Sequence, residues 1–151
     1  SGSDTHILVN NYTDTYIATI EADGTRRFER TIPDVEAQEM TVVSGRMFIA
    51  GESYAESIDT QNGEEIWQIN QEFGFTSGIK KSDDGVVIVG EQTAAIIDST
   101  AGNVIWSVND PQTELPTYDN GTFYHVSGSR VYAIQANLAI DSEGSSSSIL
   151  E

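Results

Sequence analysis

The sequence predicts an all-β chain built from repeated units of four short antiparallel strands. Three observations predict it. A residue pattern recurs at a fixed spacing of 39. Short apolar runs alternate with turns rich in Gly, Asn and Asp. No segment sustains the period of about 3.6 residues that marks an amphipathic helix.

The period is clearest in two stretches. Residues 53–69 read SYAESIDTQNGEEIWQI and residues 92–108 read QTAAIIDSTAGNVIWSV, aligning without gaps. Ile58, Asp59, Gly63, Ile66 and Trp67 fall on Ile97, Asp98, Gly102, Ile105 and Trp106. An earlier copy spans Tyr16 to Arg30, with Gly24 and Phe28 lying 39 residues before Gly63 and Trp67 and a turn one residue shorter. A partial copy spans Arg130 to Gln135, where Ile134 stands for Ile97 and no Gly and Trp follow. The clear copies read as an apolar strand ending in Asp, a turn closing on Gly, and a strand carrying an aromatic. Gly63 and Gly102 are expected to supply the positive φ of such turns. Asp59 and Asp98 are expected to accept backbone N–H groups and fix them. Trp67 and Trp106 are expected to bury large areas between neighbouring sheets.

A further strand is predicted upstream of each copy, at His6–Asn10, Arg46–Gly51, Val86–Gly90 and Thr122–Ser127. Ser44-Gly45, Asp84-Gly85 and Asn120-Gly121 introduce the last three, the latter two being favoured type I′ hairpin dipeptides. The unbroken run Val86 to Val89 predicts a strand buried on both faces. Weaker strands precede these at residues 39–43, 76–80 and 116–118. Asp34 to Met40 is compatible with one helical turn before Thr41-Val42-Val43 returns to strand composition.

A period near the roughly 40 to 45 residues of propeller repeats selects a β-propeller over a sandwich or barrel. The first blade lacks its first strand. The second and third are complete. The fourth lacks its last strand unless Leu138 to Ile140 provides it. The chain is therefore expected to hold about three and a half to four blades of four antiparallel strands. A partial ring leaves open edges and apolar blade faces. It is resolved if the chain is part of a longer protein, if two copies close one ring, or if a small ring is latched by its C-terminal segment; the first two are favoured. Residues 1–3 read as a cloning scar, 4–141 as propeller repeats and 142–151 as a Ser-rich flexible tail.

The pattern I-D-x-x-x-G-x-x-I-W at Ile58–Trp67 and Ile97–Trp106 resembles the PQQ enzyme repeat. That repeat occurs in the propellers of quinoprotein alcohol dehydrogenases and of outer-membrane assembly lipoproteins. The resemblance runs from His6 to about Gln135 and implies a larger closed ring than this chain supplies. The family's enzymes hold a quinone cofactor and a metal ion on the propeller axis, stacked on a tryptophan and often on a vicinal disulfide. This chain has no cysteine. Its tryptophans fall on structural repeat positions, and Asp59 and Asp98 match turn positions. No catalytic, cofactor-binding or metal-ligating residue is assigned, and no cofactor is expected. A quinone-dependent dehydrogenase-like enzyme, its site complete only in the full ring, is the alternative.

Charge narrows the partners. There are 24 acidic and 7 basic residues, a net charge of −17. Such a surface repels nucleic acid and anionic membranes, since phosphate binding needs clustered Lys and Arg. Nucleic-acid binding is excluded. Scarce lysine with abundant Asp, Glu and Thr resembles proteins of halophilic archaea, whose surroundings shrink the Debye length to about 3 Å and screen carboxylate repulsion. Simple solubility is the plainer reading. No run approaches the ~18 apolar residues of a membrane helix.

Other chemistry is sparse. His6 and His125 are the only histidines, and both are expected in structural strand positions. No G-x-S-x-G, phosphate loop or zinc spacing occurs. Asp83-Asp84-Gly85 and Asp141-Ser142-Glu143 read as solvated turns rather than calcium loops. Sequons at Asn11 and Asn120 are candidate glycosylation sites and favour an extracellular or cell-surface setting. The expected function is a non-catalytic binding or scaffold module acting in protein–protein interaction or self-assembly. Its partner would be another protein or a second copy that completes the propeller. An engineered propeller piece is a third possibility.

Overall fold

The structure is a computed structural model and describes residues 3–11, 13–82, 85–109, 117–119, 122–127 and 130–135. Among them, the regular elements are fourteen strands in four sheets. The first blade holds β1 (Thr5–Asn11), β2 (Asp14–Ile20) and β3 (Arg26–Ile32). The second holds β4 (Ala37–Val43), β5 (Arg46–Gly51), β6 (Tyr54–Asp59) and β7 (Glu65–Ile69). The third holds β8 (Thr76–Ser82), β9 (Gly85–Gly90), β10 (Thr93–Asp98) and β11 (Val104–Asn109). The fourth holds β12 (Thr117–Asp119), β13 (Thr122–Ser127) and β14 (Arg130–Gln135).

Each sheet is an antiparallel meander in which sequence neighbours pair. This is the all-β blade architecture the repeat predicts. β1 is the counterpart of β5 and β9, so the described first blade begins one strand late. Leu138 to Ile140, the expected source of a last strand for the fourth blade, lie outside the described residues. The helical turn considered for Asp34 to Met40 is not formed. β4 begins at Ala37, and Asp34 takes a left-handed φ of 56° that no helix accommodates.

The registers repeat along with the sequence. β4 against β5 shifts between Ala37 and Glu39, and β8 against β9 shifts between Thr76 and Gly78, 39 residues on. β6 against β7 shifts at Ser57/Ile58, and β10 against β11 at Ile96/Ile97. Such bulges add local twist, and their recurrence gives successive blades one shape. Ser44 and Gly45 both have positive φ, 51° and 76°, as a type I′ hairpin requires. Asp84, Asn120 and Gly121 lie outside the described residues.

The core lies between blades. Side chains alternate along β5, β6, β9 and β10, and both faces of β5 are apolar because each packs against a neighbouring blade. Met47, Ile49, Tyr54 and Ile58 pack with Ile17, Phe28 and Ile32 of the first blade. Phe48, Ala50, Ala55 and Trp67 pack with Phe73, Val86, Ile88, Ala95 and Ile97 around the third. Val87, Val89, Ala94 and Ile96 form a cluster on the third blade's far face. All six residues of β9 are buried, as the run Val86 to Val89 predicts. Each fully buried Val or Ile contributes about 1.5–3 kcal/mol. β4 and β8 pack against each other. There the Thr76 N–H donates to Gln38 Oε1 at 2.5 Å and the Thr76 hydroxyl to the Gly51 carbonyl at 2.9 Å. No helix among the described residues is long and apolar enough to cross a membrane.

Candidate functional site

The chemically distinctive residues collect at the blade junctions. The turns come first. Gly63 N–H donates to the Asp59 carbonyl at 2.9 Å, and Asp59 Oδ1 accepts the Gln61 N–H at 2.6 Å. One repeat later, Gly102 N–H donates to the Asp98 carbonyl at 2.9 Å. Asp98 Oδ1 accepts the Thr100 and Ala101 N–H groups, both at 2.7 Å. Gly63 and Gly102 have φ of 76° and 75°, as the pattern predicts.

The glycines also have a second role. A Cβ at Gly63 would stand 2.6 Å from the Phe28 ring, and one at Gly102 would stand 2.8 Å from the Trp67 indole. The aromatic of each blade therefore seats on the glycine turn of the next. The Trp67 indole N–H donates to the Ser99 carbonyl at 3.0 Å, and Arg46 donates to the same oxygen at 2.7 Å. Trp67 is buried and tilted against Phe48, with ring centroids 6.0 Å apart. Trp106 packs against the Val87, Val89, Ala94 and Ile96 cluster. Trp67 thus lies between neighbouring sheets, as expected, whereas Trp106 is half-buried and packs on its own blade. The pairing itself was missed, although the spacing from Phe28 to Gly63 equals that from Trp67 to Gly102.

A polar bridge joins the first two blades. Arg30 on β3 donates to Glu56 on β6 at 2.5 Å and lies 3.8 Å from Glu65. The Tyr54 hydroxyl donates to the other oxygen of Glu56. Glu56 is 0% exposed. Burial pushes its carboxyl above the usual glutamate range, and hydrogen bonds from Tyr54 and Arg30 oppose that shift. Burial, with Glu56 as neighbour, also raises the Tyr54 phenol. The register places Glu56 where the first and third blades carry Ala18 and Ala95, and Arg30 where the second and third carry Ile69 and Val108. Sequence reasoning did not find this bridge. Its one local signal is the glutamate inside the otherwise uncharged start of Tyr54–Ile58.

The remaining expected positions fall as follows. His6 Nδ1 is hydrogen-bonded to Thr19 Oγ1 at 2.9 Å within the first blade. His125 lies on β13, in a different sheet. Asn11 is the exposed last residue of β1. Asn120, Asp83, Asp84 and the stretch Asp141-Ser142-Glu143 lie outside the described residues. No group of three or more metal-ligating side chains occurs among the described residues. An open hollow is lined by Gln71, Glu72, Glu91, Gln92, Thr93 and Asn109. Phe75, 54% exposed, lies beside it, its carbonyl accepting the Glu91 N–H at 3.1 Å.

Meandering four-stranded blades with an aromatic seated on the next blade's glycine turn define a PQQ-type β-propeller repeat protein. The chain belongs to the PQQ-repeat family described as outer membrane protein assembly factor BamB, whose family model matches residues 51–141. No curated protein matches it. Among solved structures, BamB from Moraxella catarrhalis is similar at a TM-score of 0.65 and 15% identity, over 89% of this chain and 47% of that one. The computationally designed Ika4 protein is similar at 0.66 and 11% identity, over 85% of this chain and 88% of that one. A europium-containing methanol dehydrogenase is similar at 0.58 and 14% identity, over 72% and 23%. The chain thus spans about half the length of the BamB structure. At these identities the likeness shows the fold.

Proposed function

We propose that the chain is a non-catalytic propeller module that holds a protein partner or a second copy of itself, and that it works in concentrated salt. One observation carries the reading. The aromatic and aspartate residues of the repeat are committed to blade contacts and turns, while large apolar side chains stay exposed on outward surfaces. Val9, Ile66, Phe75, Val104 and Tyr124 are all exposed. Side chains of this kind, set in a strongly acidic surface, suit contact with another protein. The BamB relative, named an assembly factor, supports this by analogy of fold. The net charge of −17 supports a salty setting, where carboxylate repulsion is screened. Exposed Asn11 supports an extracellular or cell-surface one, as an accessible acceptor.

The test pairs two measurements on the full chain. Pyrroloquinoline quinone with calcium is expected to leave the thermal midpoint unchanged. Phe75→Ser is expected to reduce capture of a native partner from lysate in molar salt. A saturable stabilisation by quinone and calcium would overturn the proposal and support the enzyme alternative.

A further inference from the structure

We infer that the hollow at the junction of the second and third blades is a binding site for a tyrosine side chain presented by a protein partner. This deepens the scaffold reading above and rests on it for the partner's being a protein. The repeat supplies the first argument. Gln71 and Thr93, which line the hollow, stand 39 residues after Ile32 and Tyr54. Ile32 and Tyr54 are 4% and 6% exposed and pack in the core of the first junction. At the second junction Phe73 supplies apolar contact, and its counterpart 39 residues earlier is Asp34. The places of Ile32 and Tyr54 are left to two polar side chains, and a hollow of about 470 Å³ opens beside them. That volume lies within the ~300–1,000 Å³ typical of ligand sites.

What the two earlier blades place there supplies the second argument. Tyr16 on β2 and Tyr54 on β6 hold equivalent register positions. Each donates its hydroxyl to a glutamate, Tyr16 to Glu29 at 2.8 Å and Tyr54 to Glu56. The third blade has Thr93 at this position and so brings no ring of its own. The hollow nonetheless keeps the acceptors. Glu72 and Glu91 are exposed, line it and form no ion pair among the described residues. Thr93 is buried, and its hydroxyl reaches Asn109 Oδ1 only at 3.5 Å, longer than an ordinary O–H···O bond. A phenol supplies what this set lacks: a ring in the absent side chain's place and an O–H to donate.

The walls of the hollow are fixed by the backbone. The Gln92 and Thr93 N–H groups donate to the Phe73 carbonyl at 2.8 and 3.2 Å, and the Glu91 N–H to the Phe75 carbonyl at 3.1 Å. Such preorganisation lowers the ordering cost of binding. No Lys or Arg is among the lining residues, so the two carboxylates repel an anion and reject a phosphorylated tyrosine. Tyrosine is also one of the side chains that anchor protein interfaces.

Two-dimensional NMR titration of the full chain with N-acetyl-tyrosinamide tests the site. Saturable shifts are expected at the residues lining the hollow, with a dissociation constant on the order of 1 mM. N-acetyl-phenylalaninamide, which lacks the hydroxyl, is expected to bind at least ~fivefold more weakly, and O-phosphotyrosine to shift nothing there. Thr93→Tyr restores the residue found at Tyr54 and is expected to abolish binding, with cooperative thermal unfolding reporting that the fold holds. Glu72→Ala combined with Glu91→Ala changes only exposed side chains and is expected to erase the preference for the hydroxylated ring. The absence of saturable shifts at the hollow in wild type would overturn the inference. Equal binding of the two amides would do so too, since the hydroxyl would then play no part. A hollow that takes no probe, beside partner capture that Phe75→Ser still reduces, would sink this inference and leave the scaffold reading standing. Saturable binding of the probe together with stabilisation by quinone and calcium would do the reverse.

Discussion

Glu56 stands where the first and third blades carry Ala18 and Ala95, and Arg30 where the second and third carry Ile69 and Val108. Taking one charge away strands the other. Arg30→Ile is expected to cost about 3–5 kcal/mol in urea unfolding. Arg30→Ile with Glu56→Ala restores the pattern of Ile69 and Ala95 and is expected to return close to wild type. Simple additivity of the two single effects would contradict the bridge. The pH dependence follows from the raised Glu56 carboxyl. The folded state binds that proton more tightly than the unfolded chain, whose glutamate titrates near ~4.3. This group's contribution therefore improves as pH falls through the raised value and levels off below the ordinary one. Relative to Glu56→Gln, wild type is expected to gain thermal stability between about pH 7 and about pH 4.5. A constant difference across that range would contradict the assignment. The aspartate turns were legible because their hydrogen bonds span a few residues. The bridge was not, because Arg30 and Glu56 meet only once two blades face each other.

At the scale of elements, the repeat made most strands readable, since the pattern fixes where each turn closes. Asp34 to Met40 shows where composition misleads. Its Glu, Ala, Gln and Met suit a helix, yet pairing of β4 with β5 takes the segment from Ala37 onward into the sheet. The tight turns also differ in measurable strength. Asp98 Oδ1 serves two N–H groups and Asp59 Oδ1 one. Asp98→Ala is expected to cost about 1–2 kcal/mol and Asp59→Ala about 1 kcal/mol, read from chemical unfolding. Equal or reversed losses would show that the side chains do not hold these turns. The seat-and-knob contact of aromatic on glycine escaped sequence reasoning for a related reason. Positive φ already accounted for the glycines, and the second constraint comes from a ring on the preceding blade.

At the scale of the whole molecule, a repeated blade is combined with a net charge of −17. The repeat and the charge were visible in the sequence. How successive blades interlock required the register and the glycine seats. The central claim is that one interlock recurs along the chain and that its first seat is empty, since nothing among the described residues lies within 4 Å of a Cβ at Gly24. Glycine-to-alanine substitution at the three seats tests it most directly. Each alanine meets the left-handed backbone penalty of about 1–2 kcal/mol. Gly63→Ala and Gly102→Ala must also displace Phe28 or Trp67, and each is expected to lose at least ~2 kcal/mol more. Gly24→Ala is expected to lose the backbone penalty alone. Equal losses at all three positions would contradict the interlock, and a largest loss at Gly24 would show that its seat is already filled.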